Sequence, residues 1–297
     1  MSKIAMLFAG QGAQSPGMGK ALYEQYPEVR PIFDLAADYL PVCFEGPKEA
    51  LTLTSNAQPC LFAVNLACAR VLARELHIEG VAGFSLGEIP AAAFCGLMSD
   101  AEAFELVLHR ARAMQACAQD NPGRMFAVIK LTAQAVEDLC APIEGAYPIN
   151  YNAPGQTVVA CLEHAAENFP AAVAAAGGRA LPLAVGGAFH CPAMDAASAS
   201  LAAYVQGVEI KVPTLPLYAN ATAQPYPVGA PDDCRALLAE QVHRPVLWQK
   251  TIEHMLADGF DTFVEAGPGQ VLSRLVQKIA PEATVLQGLP AQLAAQA

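Results

Sequence analysis

Hydrophobic and polar positions divide the chain into short apolar runs and longer amphipathic segments. Residues 4–8 are all apolar, and a glycine-rich stretch follows at 10–19. A run this short, closed by glycine, predicts a strand buried on both faces. Apolar residues at helical spacing predict a long helix over 58–76, then a short strand at 81–83. A second long helix is expected over 101–119, carrying Arg110, Arg112 and Met114. Buried strands are expected again at 214–218 and 262–265, and a last one at 284–286. Strands alternating with helices in this way predict an α/β fold.

The rhythm changes between 125 and 186. A strand at 125–131 precedes a helix over 132–139 capped by Thr132. Strand patterns at 147–151 and 157–162 are joined by the turn residues Asn152, Ala153, Pro154 and Gly155. A helix over 163–176 stops at Gly177-Gly178, and a strand is expected at 180–185. The order β-α-β-β-α-β is ferredoxin-like. The expected organisation is a core of 1–124 and 187–297 with a ferredoxin-like insertion at 125–186. Residues 290–297 read as a loose tail.

Composition narrows the function classes. Of the 297 residues 54% are hydrophobic and 15% charged, which excludes a disordered chain. No apolar run reaches the ~18 residues of a membrane span. The apolar start at 4–9 runs straight into Gly10-Gln11-Gly12 with no cleavage signature, so it reads as a strand and not as a signal peptide. A net charge of −11 and no Lys/Arg cluster argue against a nucleic-acid partner. The nine cysteines form no CxxC pair and have no Cys/His ligand spacing. They predict free thiols in a cytoplasmic protein without a metal site.

The segment Gly83-Phe84-Ser85-Leu86-Gly87 carries the strongest chemical signal. GxSxG between a strand and a helix is the pattern of a nucleophile elbow. It exposes the serine hydroxyl and sets free N–H groups of a helix N-terminus beside it. The ordinary alternative is a helix-capping serine. Of six histidines, His190 stands out, because a predicted strand, two glycines and Phe189 precede it and Cys191-Pro192 follows. The other five lie on predicted helices or polar connections. No acid is marked as a third partner, but a backbone carbonyl can hold the second imidazole N–H. By pattern alone Arg110 is a solvated helical arginine; the functional alternative is a carboxylate clamp. Gln11, directly after the first strand, could donate into a neighbouring site. GxGxxG fails, since Ser15 stands where the third glycine belongs.

Taken together these segments resemble the malonyl-CoA:acyl-carrier-protein transacylase family from end to end. Phe8-Ala9-Gly10-Gln11-Gly12-Ala13-Gln14 is similar to the family's FPGQGSQ, and Gly83-Phe84-Ser85-Leu86-Gly87-Glu88 to its GHSLGE. Arg110 with Met114-Gln115 falls at the family's substrate arginine. The stretch from Asn150 to Gln156 resembles NxNxPGQ, and Phe189-His190-Cys191-Pro192-Ala193-Met194 resembles its histidine motif. Pro245-Val246-Leu247-Trp248 and Glu265-Ala266-Gly267-Pro268-Gly269 match later motifs. The resemblance implies an α/β-hydrolase-like core with an inserted ferredoxin-like subdomain. It implies malonyl-CoA as substrate, an acyl carrier protein as transient partner and no tightly bound cofactor. Ser85 would be acylated and His190 its base. Backbone N–H groups of Gln11 and Leu86 would form the oxyanion hole, Arg110 would clamp the malonyl carboxylate, and Asn150 and Asn152 would line the cleft. Phe189 and Leu86 resemble the malonyl-selecting variants, with Phe189 crowding an α-methyl branch.

Three positions depart from the family pattern. Phe84 replaces a histidine, which implies altered packing beside the nucleophile. Leu247 stands where Gln or Arg is common, tolerable if that residue offers His190 only its carbonyl. Pro90 removes a backbone donor after the elbow and is expected to bend that helix. Other readings share the elbow. An esterase would use water as acceptor, and a malonyltransferase of a polyketide or malonate decarboxylase system would serve a different carrier. A non-catalytic scaffold would not need Ser85, His190 and Arg110 together.

Overall fold

The computed structural model describes residues 2–288, so the expected tail at 290–297 lies outside the described residues. The described residues form nine strands: β1 (Ile4–Phe8), β2 (Ile78–Gly83), β3 (Gly123–Ile129), β4 (Ala146–Ala153), β5 (Gln156–Leu162), β6 (Arg179–Pro182), β7 (Leu217–Tyr218), β8 (Thr262–Ala266) and β9 (Thr284–Leu286). Five form a parallel sheet in the order β7-β2-β1-β8-β9. Its centre, β1, sends Met6 and Phe8 into the larger core and Ala5 and Leu7 into a second one. Successive side chains point to opposite faces, so an all-apolar strand needs cover on both. The helix Thr54–Leu72 and the helix Asp100–Asp120 belong to the first face, and the helix Trp248–Ala257 to the second. Ser99 caps the Asp100–Asp120 helix in a capping box with Glu102.

The other four strands form an antiparallel sheet, β4-β5-β3-β6. With its two helical segments it makes the ferredoxin-like layer of an α/β-hydrolase-like protein. Its first strand starts at Gly123 and its last ends at Pro182. Phe126 and Val128 face its own helices, whereas Met125 and Ala127 face the main body.

Several elements differ from expectation for local reasons. β7 keeps only Leu217–Tyr218 of the expected 214–218. Pro216 cannot donate to a ladder, although its carbonyl still accepts from Val81 N–H at 2.9 Å. The helix expected over 163–176 breaks into Glu163–Ala166 and Phe169–Ala175. Pro170, in the first turn of the second piece, has no N–H to continue the first. β4 runs through Asn152 and Ala153, so the turn shrinks to Pro154-Gly155, where Gly155 takes φ +70°. Pro90 is the third residue of the helix Glu88–Phe94. Its missing N–H falls in the first turn of that helix, where proline is tolerated.

Candidate active site

Strand β2 ends at Gly83 and the chain turns at once into a short helical turn over Ser85–Gly87. Two glycines make this turn possible. A Cβ at Gly83 would lie 2.0 Å from the Gly87 carbonyl carbon, and one at Gly87 would lie 2.1 Å from the Phe8 carbonyl oxygen. Ser85 itself takes φ +51°, a left-handed conformation that costs a non-glycine residue about 1–3 kcal/mol. Side chains hold it there. Asn220, just beyond β7, accepts from Ser85 N–H at 2.7 Å and donates to the Gly83 carbonyl. Gln241 donates through Nε2 to the Ser85 carbonyl at 2.7 Å.

His190 approaches from the other side. Its backbone also sits at positive φ, +58°, and its N–H donates to the Val242 carbonyl at 3.0 Å. Nε2 lies 2.7 Å from Ser85 Oγ. Nδ1 faces two carbonyl oxygens, Gln241 at 2.9 Å and Arg244 at 3.1 Å. Acceptors there place the proton on Nδ1 and leave Nε2 free to take the serine proton. Burial, with the positive charge of Arg110 beside it, lowers the imidazole to about 4 against the two carbonyls. His190 is therefore neutral throughout the neutral range.

Arg110 is 1% exposed, which overturns the solvated arginine expected from helical pattern alone. Its Nε and Nη2 donate to Gln241 Oε1 at 3.2 and 2.8 Å, and Nη1 to Gln58 Oε1 at 2.8 Å. Nη2 also reaches Ser85 Oγ at 3.2 Å. Of five N–H groups four are engaged, all by uncharged partners. Burial pulls the guanidinium down to about 10, and Glu88 opposes that shift, so the group stays charged at neutral pH. Glu88 is equally buried, but its oxygens accept from Asn220 N–H at 2.7 Å and from the Tyr226 hydroxyl.

Beside this centre lies a cavity of about 460 Å³ between the two sheets, with Gly10, Gln11, Phe84, Asn150, Asn152 and Leu275 in its wall. Asn150 and Asn152 are 5% and 7% exposed, and the side-chain oxygen of each has no protein partner. The edge of β4 is tied to the catalytic side by a bridge at Val246. Its N–H donates to the Ile149 carbonyl at 2.7 Å and its carbonyl accepts from Tyr151 N–H at 2.9 Å.

A serine at a strained elbow, an imidazole fixed by carbonyls and a buried arginine suit acyl transfer to and from an acid-bearing acyl group. Comparison with known proteins agrees. Residues 5–287 match the acyl transferase domain family. The chain belongs to the acyl transferase domain family. It is 36% identical over 291 residues to the malonyl CoA-acyl carrier protein transacylase of Haemophilus influenzae, covering 94% of this chain and 93% of that one. The acyl-carrier-protein S-malonyltransferase of Bartonella henselae superposes with TM-score 0.91 at 34% identity, over 98% of this chain and 97% of that one. A malonyl-transacylase solved in complex with a type II polyketide synthase acyl-carrier protein gives TM-score 0.91 at 33% identity, over 98% of both chains.

Within this acyl transferase, Ser85, His190 and Arg110 come together from segments far apart in sequence. Leu86 is fully buried directly after Ser85. Gln11 lines the cavity and its side chain donates to Thr54 Oγ1 at 3.3 Å. Among the described residues no acceptor is bonded to its backbone N–H. Phe189 is buried in the main core and not in the cavity wall. Leu247 does not offer its carbonyl to His190. That carbonyl accepts from Thr251, and the Leu247 N–H donates to the Asn220 carbonyl at 2.9 Å. The imidazole's acceptors stand three and six residues earlier because the chain curls around it before reaching Val246. Phe84 packs edge-on against the buried Trp248, ring centroids 5.3 Å apart. Gln58, Glu88, Asn220, Gln241 and Tyr226 escaped the sequence reading as site residues. For Asn220 a signal existed: a polar residue just beyond the carboxyl end of a parallel strand is where open α/β sheets place their sites. Among the described residues no three His, Cys, Asp or Glu side chains converge as metal ligands. No helix there is long and apolar enough to cross a membrane, and all nine cysteines are buried and unpaired.

Proposed function

We propose that this acyl transferase moves a malonyl group from malonyl-CoA to the phosphopantetheine thiol of an acyl carrier protein, in fatty acid biosynthesis. His190 Nε2 takes the Ser85 proton as Oγ attacks the thioester carbonyl. The C–S bond breaks, the proton passes to the departing CoA thiolate, and a malonyl-Ser85 ester remains. The carrier's thiol then gives its proton to His190 and attacks the ester, and Ser85 recovers the proton. Backbone N–H groups of Gln11 and Leu86 serve the oxyanion in both halves. Asn150 and Asn152 line the route of the pantetheine arm, and Phe189 restricts α-branched acyl groups through the packing around His190. Residues 1–124 and 187–297 act as the catalytic core and 125–186 as the inserted wall. The acyl donor is the only cofactor this chemistry needs, and nine unpaired thiols suit a reducing, cytoplasmic setting.

The observation that carries the reading is Arg110. It is a buried cation with only neutral partners, one Nη1 N–H unclaimed and one Nη2 N–H on the nucleophile's own oxygen. A carboxylate on an acyl group attached at Ser85 Oγ can take those two N–H groups as a bidentate pair. Simple esters would leave that cation unanswered, which disfavours an esterase. Service to a polyketide carrier is the second reading, supported by the likeness to the polyketide malonyl-transacylase. Mass spectrometry after mixing with malonyl-CoA should find one malonyl group on Ser85, transferable to a pantetheinylated carrier protein. Ser85→Ala should carry none, and an adduct on that variant would remove Ser85 as nucleophile.

A further inference from the structure

Glu88 is the one buried acid of the catalytic centre, and the reaction just described gives it no task. Its carboxylate lies one turn beyond the nucleophile, 1% exposed. One oxygen accepts the Asn220 backbone N–H at 2.7 Å, the other the Tyr226 hydroxyl. Asn220 in turn uses its side-chain amide on both sides of the elbow, at Ser85 N–H and at the Gly83 carbonyl. A continuous path of hydrogen bonds therefore runs from the Glu88 carboxylate through Asn220 to a serine held at φ +51°. The acid makes no ion pair with Arg110, yet it is the carboxylate whose charge that guanidinium feels.

We infer that Glu88 is a positioning residue: its ionised carboxylate, acting through Asn220, locks the Ser85 elbow in the conformation that presents Oγ to the substrate. An ionised carboxylate accepts on both oxygens, so it grips the Asn220 N–H and the Tyr226 hydroxyl together. A protonated one must donate from one oxygen, and its hold on the pair loosens. The groups facing it set where that change falls. Burial raises the carboxyl to about 7, while Tyr226, Asn220, Gln241 and the charge of Arg110 pull the other way. Cys95, after its own helix, and Cys234, on the helix Pro231–Glu240, adjoin Tyr226; burial raises both thiols, Cys95 to about 11. His190, on the far side of Arg110, is lowered to about 4. Of this set only Glu88 changes charge near neutrality. A neutral inflection in Ser85 acylation is therefore assigned to Glu88 and not to His190.

This inference uses the malonyl-Ser85 reading for one of two readouts, and the other is independent of it. Wild type, Glu88→Gln and Glu88→Ala are compared from pH 5.5 to 8.5 in two reactions: the CoA burst from malonyl-CoA, and labelling of Ser85 by a fluorophosphonate, which needs no malonyl recognition. Wild type should speed up by about fivefold as pH rises through about 7, the difference between a charge-assisted and a neutral contact. Glu88→Gln keeps an acceptor for Asn220 but cannot ionise. It should run flat across that range at the low-pH level of wild type. Glu88→Ala should lose at least about tenfold in the burst rate and in labelling with KM for malonyl-CoA unchanged, as a displaced nucleophile would. A neutral step that survives in Glu88→Gln overturns the inference, as does wild-type labelling of Glu88→Ala. If Glu88→Ala fails to fold, the Glu88→Gln profile decides alone. Failure of the malonyl reading looks different: no burst from wild type, with the fluorophosphonate profile still readable.

Discussion

The elbow and the cavity wall treat their polar atoms in opposite ways. Around Ser85 the N–H, carbonyl and hydroxyl, both His190 nitrogens and four of the Arg110 N–H groups all have protein partners. This polar network is settled before any substrate arrives, which is what electrostatic catalysis requires of a site that must not reorganise during reaction. Across the cavity, Asn150 and Asn152 bury side-chain oxygens that bond to nothing in the protein. An unsatisfied buried acceptor costs about 1–3 kcal/mol, so a wall that keeps two is kept for something that donates. The two regions thus divide labour: one fixes the geometry of bond making, the other holds open contacts for a ligand. The bridge at Val246, in the segment that also supplies the carbonyls facing His190, joins them mechanically.

Removing His190, the proposed base, from the settled side should give the largest effect of a single side chain other than Ser85. His190→Ala is expected to slow acylation by ~10²–10⁴-fold, the usual contribution of a positioned general base. Its sign with pH is fixed by burial. The imidazole is lowered to about 4, so the base stays unprotonated and competent as pH falls from 7 to 5 and is lost only as pH approaches 4. Stopped-flow CoA release across pH 4–8 measures both, the His190 loss being the step near pH 4 and distinct from the neutral step assigned to Glu88. A near-normal His190→Ala rate would move the role elsewhere and dissolve the contrast between the two regions.

Arg110 tests whether the settled side also recognises substrate. Loss of one member of a desolvated charge pair costs about 2–5 kcal/mol, so Arg110→Ala should lower kcat/KM for malonyl-CoA by about 30-fold or more. Acetyl-CoA has no carboxylate to lose, and its transfer should fall far less. The ratio is the measurement, because a folding defect depresses both. Equal losses would make Arg110 a strut for Gln58 and Gln241.

Legibility in the sequence followed the range of the interactions. Ser85 and its glycines were readable because strand, turn and helix are contiguous, and His190 because its glycines and proline flank it. The β-α-β-β-α-β rhythm of the smaller sheet was equally local, since each of its strands follows the last within a short span. The clamp on the elbow was not readable. Asn220 meets Ser85 across 135 residues and Gln241 across 156, and neither sits in a pattern that marks it. Arg110 shows the cost of reading one element alone. Its helix face looks solvated until the helix Thr54–Leu72 and the segment after Glu240 close over it. Leu247 misled for a related reason: its motif lies beside the carbonyls that matter, and only the path of the chain shows which ones turn inward.

The smallest expected effects belong to the open wall, and their kind matters more than their size. Asn150→Ala and Asn152→Ala each remove an acceptor that has no partner in the free protein. Stability should therefore not fall, and melting temperature should hold or rise slightly, because an orphaned buried dipole disappears. Binding should suffer instead. If each oxygen accepts one hydrogen bond from the acyl donor's arm, KM for malonyl-CoA should rise by about two- to tenfold per substitution, with kcat of acylation unchanged. Gln241→Ala is the control from the settled side, since it strips partners from Ser85 and Arg110. It should lower kcat and melting temperature together. Calorimetry alongside initial rates separates the cases. An Asn152→Ala protein with a lower melting temperature and an intact KM would mean that the wall is structural and that its oxygens find partners within the chain.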